Sequence, residues 1–237
     1  MQAIAKKGEV NPVFGVLLDL GLSSFQLASE QRGFSFNGEG PLDMRFDQSA
    51  DVTAADIVNK STKKQLADIF FKLGEERKSR QIADLIVRNR PLVSTDKLVA
   101  LIKRAAGTRN GKIHPATRTF QALRIAVNSE LDNVVDGLNA AVNLVESGGK
   151  IAVLSYHSLE DRLVKNFFRD ESKACICPPE IFVCQCDHVQ SLVLRNKRAL
   201  KPEIQEVNEN PRSRSVRLRV AEKIYMGSTS KGVSECK

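Results

Sequence analysis

Val13-Phe14-Gly15-Val16-Leu17-Leu18-Asp19-Leu20-Gly21-Leu22-Ser23-Ser24-Phe25-Gln26 is the stretch whose reading decides the fold. Its almost unbroken apolar run predicts a strand buried on both faces, the kind found in parallel sheets covered by helices. The run stops at a carboxylate with a glycine just beyond it. Open α/β sheets bind their ligands outside the carboxyl ends of the strands, so Asp19, Ser23, Ser24 and Gln26 are expected to line a crevice. The plainer alternative is a strand that ends in a polar turn.

A second strand of the same kind lies far downstream, at Lys150-Ile151-Ala152-Val153-Leu154-Ser155-Tyr156. Before it, Phe120, Leu123, Val127, Leu131, Val134, Leu138, Val142 and Val145 recur every three or four residues, a helical stripe that Ser147-Gly148-Gly149 closes. Ser129 followed by Asp132 predicts a fresh cap that divides the stripe into two helices. Helix, glycine turn and strand make half of a βαβ unit, which indicates an α/β fold. His157 follows the second strand, and Ser158 with Asp161 has the spacing of a capping box for a helix through Val164, Phe167 and Phe168. A histidine there is either a catalytic group facing the same crevice as Asp19 or a structural residue beside the cap.

Between the two strands the pattern changes twice. Residues 30–45 form a glycine-rich loop in which Phe34 and Phe36 either receive a flat ligand or pin the loop to the core. From Thr53 to Ala106 the spacing predicts three short helices: one capped by Ser61 or Thr62 and closed by Gly74, one from Glu75 towards Pro91, and one from Ser94 to Gly107. The boundaries expected from composition are a first part of the sheet domain at 1–45, an inserted small helical domain at 46–110, the remainder of the sheet domain at 111–225, and a flexible tail at 226–237.

Cys175-Ile176-Cys177 and Cys184-Gln185-Cys186 place two C-x-C pairs close together, with Cys236 apart from them. Clustered cysteines in a cytosolic chain suggest a metal rather than disulfides. Four thiolates can close a tetrahedral zinc site, and free thiols on a loop are the alternative. Further on, Arg212 and Arg214 precede a strand in which Arg217 and Arg219 alternate with Val216, Leu218 and Val220. That pattern reads as a half-exposed strand with a basic outer face, suited to nucleic-acid phosphate or simply to solvent at a sheet edge. The 237 residues carry a net charge of +8 and a pI near 9.3, which favours an anionic partner. No apolar run is long enough to cross a bilayer and no secretory signal opens the chain, so a cytoplasmic location with no membrane association is expected.

Seven segments taken together resemble one family. Asp19-Leu-Gly-Leu-Ser-Ser-Phe-Gln26, Arg32-Gly-Phe-Ser-Phe36, Gly40-Pro-Leu-Asp-Met-Arg45, Gly74-Glu-Glu-Arg77, His114-Pro-Ala-Thr-Arg-Thr-Phe-Gln-Ala122, His157-Ser-Leu-Glu-Asp-Arg162 and Asn210-Pro-Arg-Ser-Arg-Ser215 are similar to the 16S ribosomal RNA N4-cytosine methyltransferases of the MraW type. The resemblance spans nearly the whole chain. It implies a class I Rossmann-like methyltransferase sheet with an inserted helical domain, S-adenosylmethionine as cofactor, and a cytosine of 16S ribosomal RNA or the small ribosomal subunit as substrate. It also implies that Asp19 and Gln26 contact the cofactor. Phe25 stands where proline is usual and Tyr156 where phenylalanine is usual.

Nothing upstream of Asp19 matches the family's first strand and Gly-Gly-His loop, so the sheet is expected to be partial and the Asp19 strand to have an open edge. A homodimer is one expected way of covering that edge. Exocyclic N4 of cytosine is a poor nucleophile because its lone pair is delocalised. Acceptors on the amino group would localise that pair, and Ser23, Ser24 and Asp43 are candidates, with His157 to take the released proton. The competing expectations are a non-catalytic basic RNA-binding module and an inactive fragment.

Overall fold

The computed structural model describes residues 1–36, 38–107, 114–181 and 183–224. In chain order the elements are α1 (Gln2–Lys7), β1 (Gly15–Asp19), α2 (Ser24–Ala28), α3 (Ala54–Lys60), α4 (Lys63–Gly74), α5 (Ser79–Arg88), α6 (Thr95–Ala106), α7 (Ala116–Asn128), α8 (Glu130–Leu144), β2 (Lys150–Ser155), α9 (Ser158–Glu171), β3 (Leu192–Leu194), α10 (Ile204–Glu209) and β4 (Arg217–Lys223). They form two compact units, one of Met1–Gly21 with Leu131–Lys237 and one of Leu22–Glu130. The tail expected at 226–237, including Cys236, lies outside the described residues. No helix among the described residues is long and apolar enough to cross a membrane.

The first unit is built on a mixed sheet of order β1-β2-β4-β3. β1 and β2 run parallel, with Gly15 opposite Lys150 and Asp19 opposite Leu154. β4 lies antiparallel to both β2 and β3. The return from β1 to β2 ends in α8, whose Val134, Leu138, Ala141 and Val142, with Val145 just after it, share one core with Ile151 and Val153 of β2 and Val164 and Phe168 of α9. Gly148 turns the chain at φ 82°, and a side chain on Gly149 would collide with Val145 and with the carbonyl of Phe14. Those two glycines let α8 dock closely on the start of the sheet.

β1 departs from its expected burial on both faces. Val16, Leu18 and Leu20 pack against the core, whereas Leu17 is 64% exposed and Phe14 66% exposed. The cause is position: β1 is an edge strand, and among the described residues only one of its faces meets a helix layer. Its apolar run marks two faces, of which one is covered here. Among the described residues no strand pairs with the outer edge of β1.

The second unit is helical. Leu66 and Phe70 of α4, Ile82 and Ile86 of α5, Leu98 and Ile102 of α6, and Phe120 and Leu123 of α7 share one core. Phe34, Leu42 and Met44 of the long loop join it. The unit is therefore wider than 46–110, because both the loop and α7 are bound into the same apolar cluster. Thr53 and Thr62 cap α3 and α4 through reciprocal capping boxes with Asp56 and Gln65. Gly74 does not close α4 as a terminal glycine; that place is taken by Glu75 in the left-handed region at φ 50°. Gly74 instead allows α4 to approach α7, since a Cβ there would strike the carbonyl of Arg118. The predicted division of the helical stripe is found at Ser129, which is left-handed at φ 47° between α7 and α8.

Candidate functional site

The parallel register of β1 and β2 brings two strand ends together. Asp19 is the last residue of β1, and Tyr156 follows the end of β2. The Tyr156 hydroxyl donates to Asp19 Oδ1 at 2.8 Å, and Leu20 N–H donates to the Leu154 carbonyl at 3.0 Å, extending the ladder one residue past β1. Gly21, at φ 93°, then turns the chain beside the Tyr156 ring. Burial, reinforced by the Asp19 carboxylate, pushes the Tyr156 phenol up to about 12, so the ring stays a donor at any neutral pH. Asp19 is exposed, and its second oxygen has no partner among the described residues. A fixed carboxylate with one free acceptor edge results.

Beyond Tyr156 the chain enters α9. His157 is extended (φ −137°, ψ 166°), which makes it the N-cap in place of Ser158, and the reciprocal partner is Glu160 rather than Asp161. His157 Nδ1 accepts from Glu160 N–H at 3.4 Å, while Glu160 Oε2 accepts from the backbone N–H groups of Tyr156 and His157 at 2.8 and 3.3 Å. Nε2 of His157 lies 3.0 Å from Glu160 Oε1 without the alignment of a hydrogen bond. The histidine is thus held as the N-cap of α9.

Asp161, freed from capping, grips β4. Arg219 donates to both its oxygens at 2.7 and 3.2 Å, and Arg217 Nε stands 3.8 Å from Oδ2. Arg219 is buried because β4 lies inside the sheet rather than at its edge. The expected basic outer face is therefore incomplete: Arg219 serves the interior, while Arg212 and Arg214 are exposed on the turn before β4. Tyr156, His157, Ser158, Lys201, Arg214 and Arg217 line a cavity of about 250 Å³ beside the first turn of α9. Lys201 was not among the residues read from the sequence, where an isolated lysine before a proline carries no signal.

In the second unit, Ser23 and Gln26 form the capping box of α2. Ser23 Oγ accepts from Gln26 N–H at 3.2 Å, and Gln26 Oε1 accepts from Ser23 N–H at 3.0 Å. Ser24 opens the first turn of that helix. Asp43 is engaged by Arg45 through two 2.8 Å hydrogen bonds, which hold its carboxyl below the usual carboxylate range. The Arg45 guanidinium also donates to the carbonyls of Gln48 and Ala50, so the pair organises the loop. Phe34 is buried against Phe46 and beneath the Arg32 guanidinium, and Phe36 stacks on His114 at 4.5 Å. Both rings are spent on pinning the loop.

The four cysteines converge. Cys175, Cys177, Cys184 and Cys186 keep all their Sγ atoms within 4.8 Å of one another, and none is in a disulfide. Cys184 and Cys186 approach to 3.5 Å, Cys186 and Cys175 to 3.9 Å.

The sheet, its crossover through α8 and the carboxylate at the strand end define a Rossmann-like α/β protein with a helical insertion. The chain belongs to the MraW methylase family, whose model matches residues 1–224. Among curated relatives, proteins named ribosomal RNA small subunit methyltransferase H share 52% identity in Dehalococcoides mccartyi, covering 94% of this chain and 64% of the relative. The one from Thermomicrobium roseum is 53% identical, over 90% of this chain and 66% of its own length. The one from Syntrophotalea carbinolica is 48% identical, over 91% and 70%. The chain thus spans less than two thirds of the length of the first two of these relatives.

Proposed function

We propose that the protein transfers a methyl group from S-adenosylmethionine to the exocyclic N4 of a cytosine in small-subunit ribosomal RNA, in the cytoplasm where that RNA is found. The observation that carries this reading is the Asp19 carboxylate, fixed by Tyr156 at the carboxyl end of β1 and open on one side. Family membership and the names of the relatives support it. On this reading residues 1–21 and those from 131 on form the methyltransferase domain and the helical unit is its insertion.

The donor set fits the polar half of an adenosyl group. An exposed carboxylate accepts from hydroxyl or amino hydrogens at a strand tip, which is where open α/β sheets hold nucleotides. Asp19 would take that contact. When bound, the cofactor supplies a methyl group activated on a sulfonium. The chain's part is positioning, which in well-oriented reactions is worth roughly 7–11 kcal/mol. Ser23, Ser24 and Asp43 are candidate acceptors for the amino hydrogens and His157 for the released proton. Ser23, Asp43 and His157 are committed to caps and a loop clasp. Substrate phosphate fits the cavity lined by Lys201, Arg214 and Arg217.

Isothermal titration of the chain with S-adenosylmethionine tests the reading, together with transfer of labelled methyl to small-subunit RNA and identification of the modified nucleoside. Binding weakened at least tenfold in Asp19→Asn and a product of N4-methylcytidine are expected. RNA affinity with no heat from the cofactor would favour a non-catalytic RNA-binding role instead.

A further inference from the structure

Between α9 and β3, the described residues of 172–191 contain no helix or strand. None of the described residues from 172 to 190 is buried, and Ile176, Val183 and Val189 are 46%, 65% and 56% exposed. Loops of this length in a compact domain need a reason to be ordered, and burial of apolar surface does not supply one here. The ends are tied: His188 Nε2 bonds the Asp170 carbonyl at 3.0 Å, and Ser191 bonds Glu171 through both its N–H and its hydroxyl. Between those ties, the feature that draws distant parts of the loop together is the cysteine cluster.

We propose that Cys175, Cys177, Cys184 and Cys186 bind one structural zinc ion. A tetrahedron with Zn–S bonds of about 2.3 Å puts its sulfurs about 3.8 Å apart. The observed pairs at 3.5 and 3.9 Å, with all four atoms inside 4.8 Å, are already at that scale. Disulfide bonding would need S–S near 2.05 Å, and none of the four is disulfide-bonded. Backbone amides support the sulfurs as anions, since Cys177 N–H points at Cys175 Sγ and Gln185 N–H at Cys177 Sγ, each at 3.4 Å. The His188 ring is committed to Asp170, which leaves an all-sulfur set. Four protein ligands close the coordination sphere, so the ion orders the loop and does no chemistry on substrate. All-thiolate tetrahedral sites select zinc or iron.

The experiment is metal analysis of the whole chain purified under reducing conditions, followed by cobalt(II) reconstitution and X-ray absorption at the zinc edge. Expected are one zinc per chain, a thiolate-to-cobalt absorption spectrum of tetrahedral type, and a single Zn–S shell at about 2.3 Å. Cys177→Ser and Cys184→Ser should each lower the zinc content at least tenfold with helical circular dichroism retained, while Cys236→Ser keeps the full equivalent. Stripping the metal should open a protease-sensitive site within 172–191. Protein without metal that also fails to take up cobalt, or that carries iron instead, would overturn the assignment. None of these readouts depends on methyl transfer.

Discussion

On the proposed reading, Asp19 concentrates the chemistry of the first unit in two oxygens. One is held by Tyr156 and the other is open, so replacing the carboxylate with an amide keeps the shape and removes the charge. Asp19→Asn is expected to weaken S-adenosylmethionine binding at least tenfold, in line with about 1.5–3 kcal/mol for a hydrogen bond to a charged group, and to leave the melting temperature nearly unchanged because the residue is exposed. Calorimetric titration beside thermal unfolding separates the two effects. Tyr156 gives a pH signature of its own. Its phenol titrates at about 12 in the fold and near 10 when unfolded, so the proton is bound more tightly by the native state. The stabilisation is complete below pH 10 and is lost as pH rises towards 12. Denaturant midpoints should fall more steeply through that window for the native chain than for Tyr156→Phe. Asp43 has the opposite sign: Arg45 lowers its carboxyl, so the loop clasp is intact at neutral pH and fails as pH drops below the usual aspartate range. Asp43→Asn should cost roughly 1–2 kcal/mol at pH 7 and much less in acid, as read from urea unfolding.

At the scale of elements, α9 shows how one residue of register redistributes roles. Ser158 and Asp161 have the spacing of a capping box, and so have His157 and Glu160. Backbone dihedrals decide between them, and these are not written in side-chain types. Once His157 and Glu160 make the cap, Asp161 is free to neutralise Arg219, which the interior position of β4 has buried. The alternation of arginine with valine and leucine marked a strand correctly but could not tell an edge from an interior place, because that depends on β3 arriving from a distant segment. Asp161→Asn is therefore expected to destabilise the sheet by about 2–3 kcal/mol, leaving a buried guanidinium without its counter-charge. His157→Ala should cost about 1 kcal/mol and His157→Asn recover most of it, both by thermal unfolding. β1 has the same limitation, since an apolar run specifies two apolar faces and not what covers them. With Phe14 and Leu17 exposed along an open edge, concentration-dependent sedimentation is expected, reduced by Leu17→Lys.

Over the whole molecule, signals local in sequence were legible and signals made by convergence were not. Asp19 could be placed because a strand end and a carboxylate are adjacent in the chain, and the cysteines because two C-x-C pairs lie close together. Lys201 could not, because it meets Arg214 only after α10 and β4 have folded back on the end of β2. That meeting carries the remaining prediction. An excess of 36 Lys and Arg residues over 28 acidic ones favours polyanions without specificity, so the question is whether any RNA affinity is local. Each phosphate held by a fixed cation releases about 0.7–0.9 of a counterion, which appears in the slope of log affinity against log salt. Lys201→Ala and Arg214→Ala should each lower that slope by about one contact for small-subunit RNA, and the double variant by about two. Arg77→Ala, also cationic but in the helical unit, gives the background loss. Slopes that fall equally for all three would remove the cavity from the RNA path and leave binding to the overall charge.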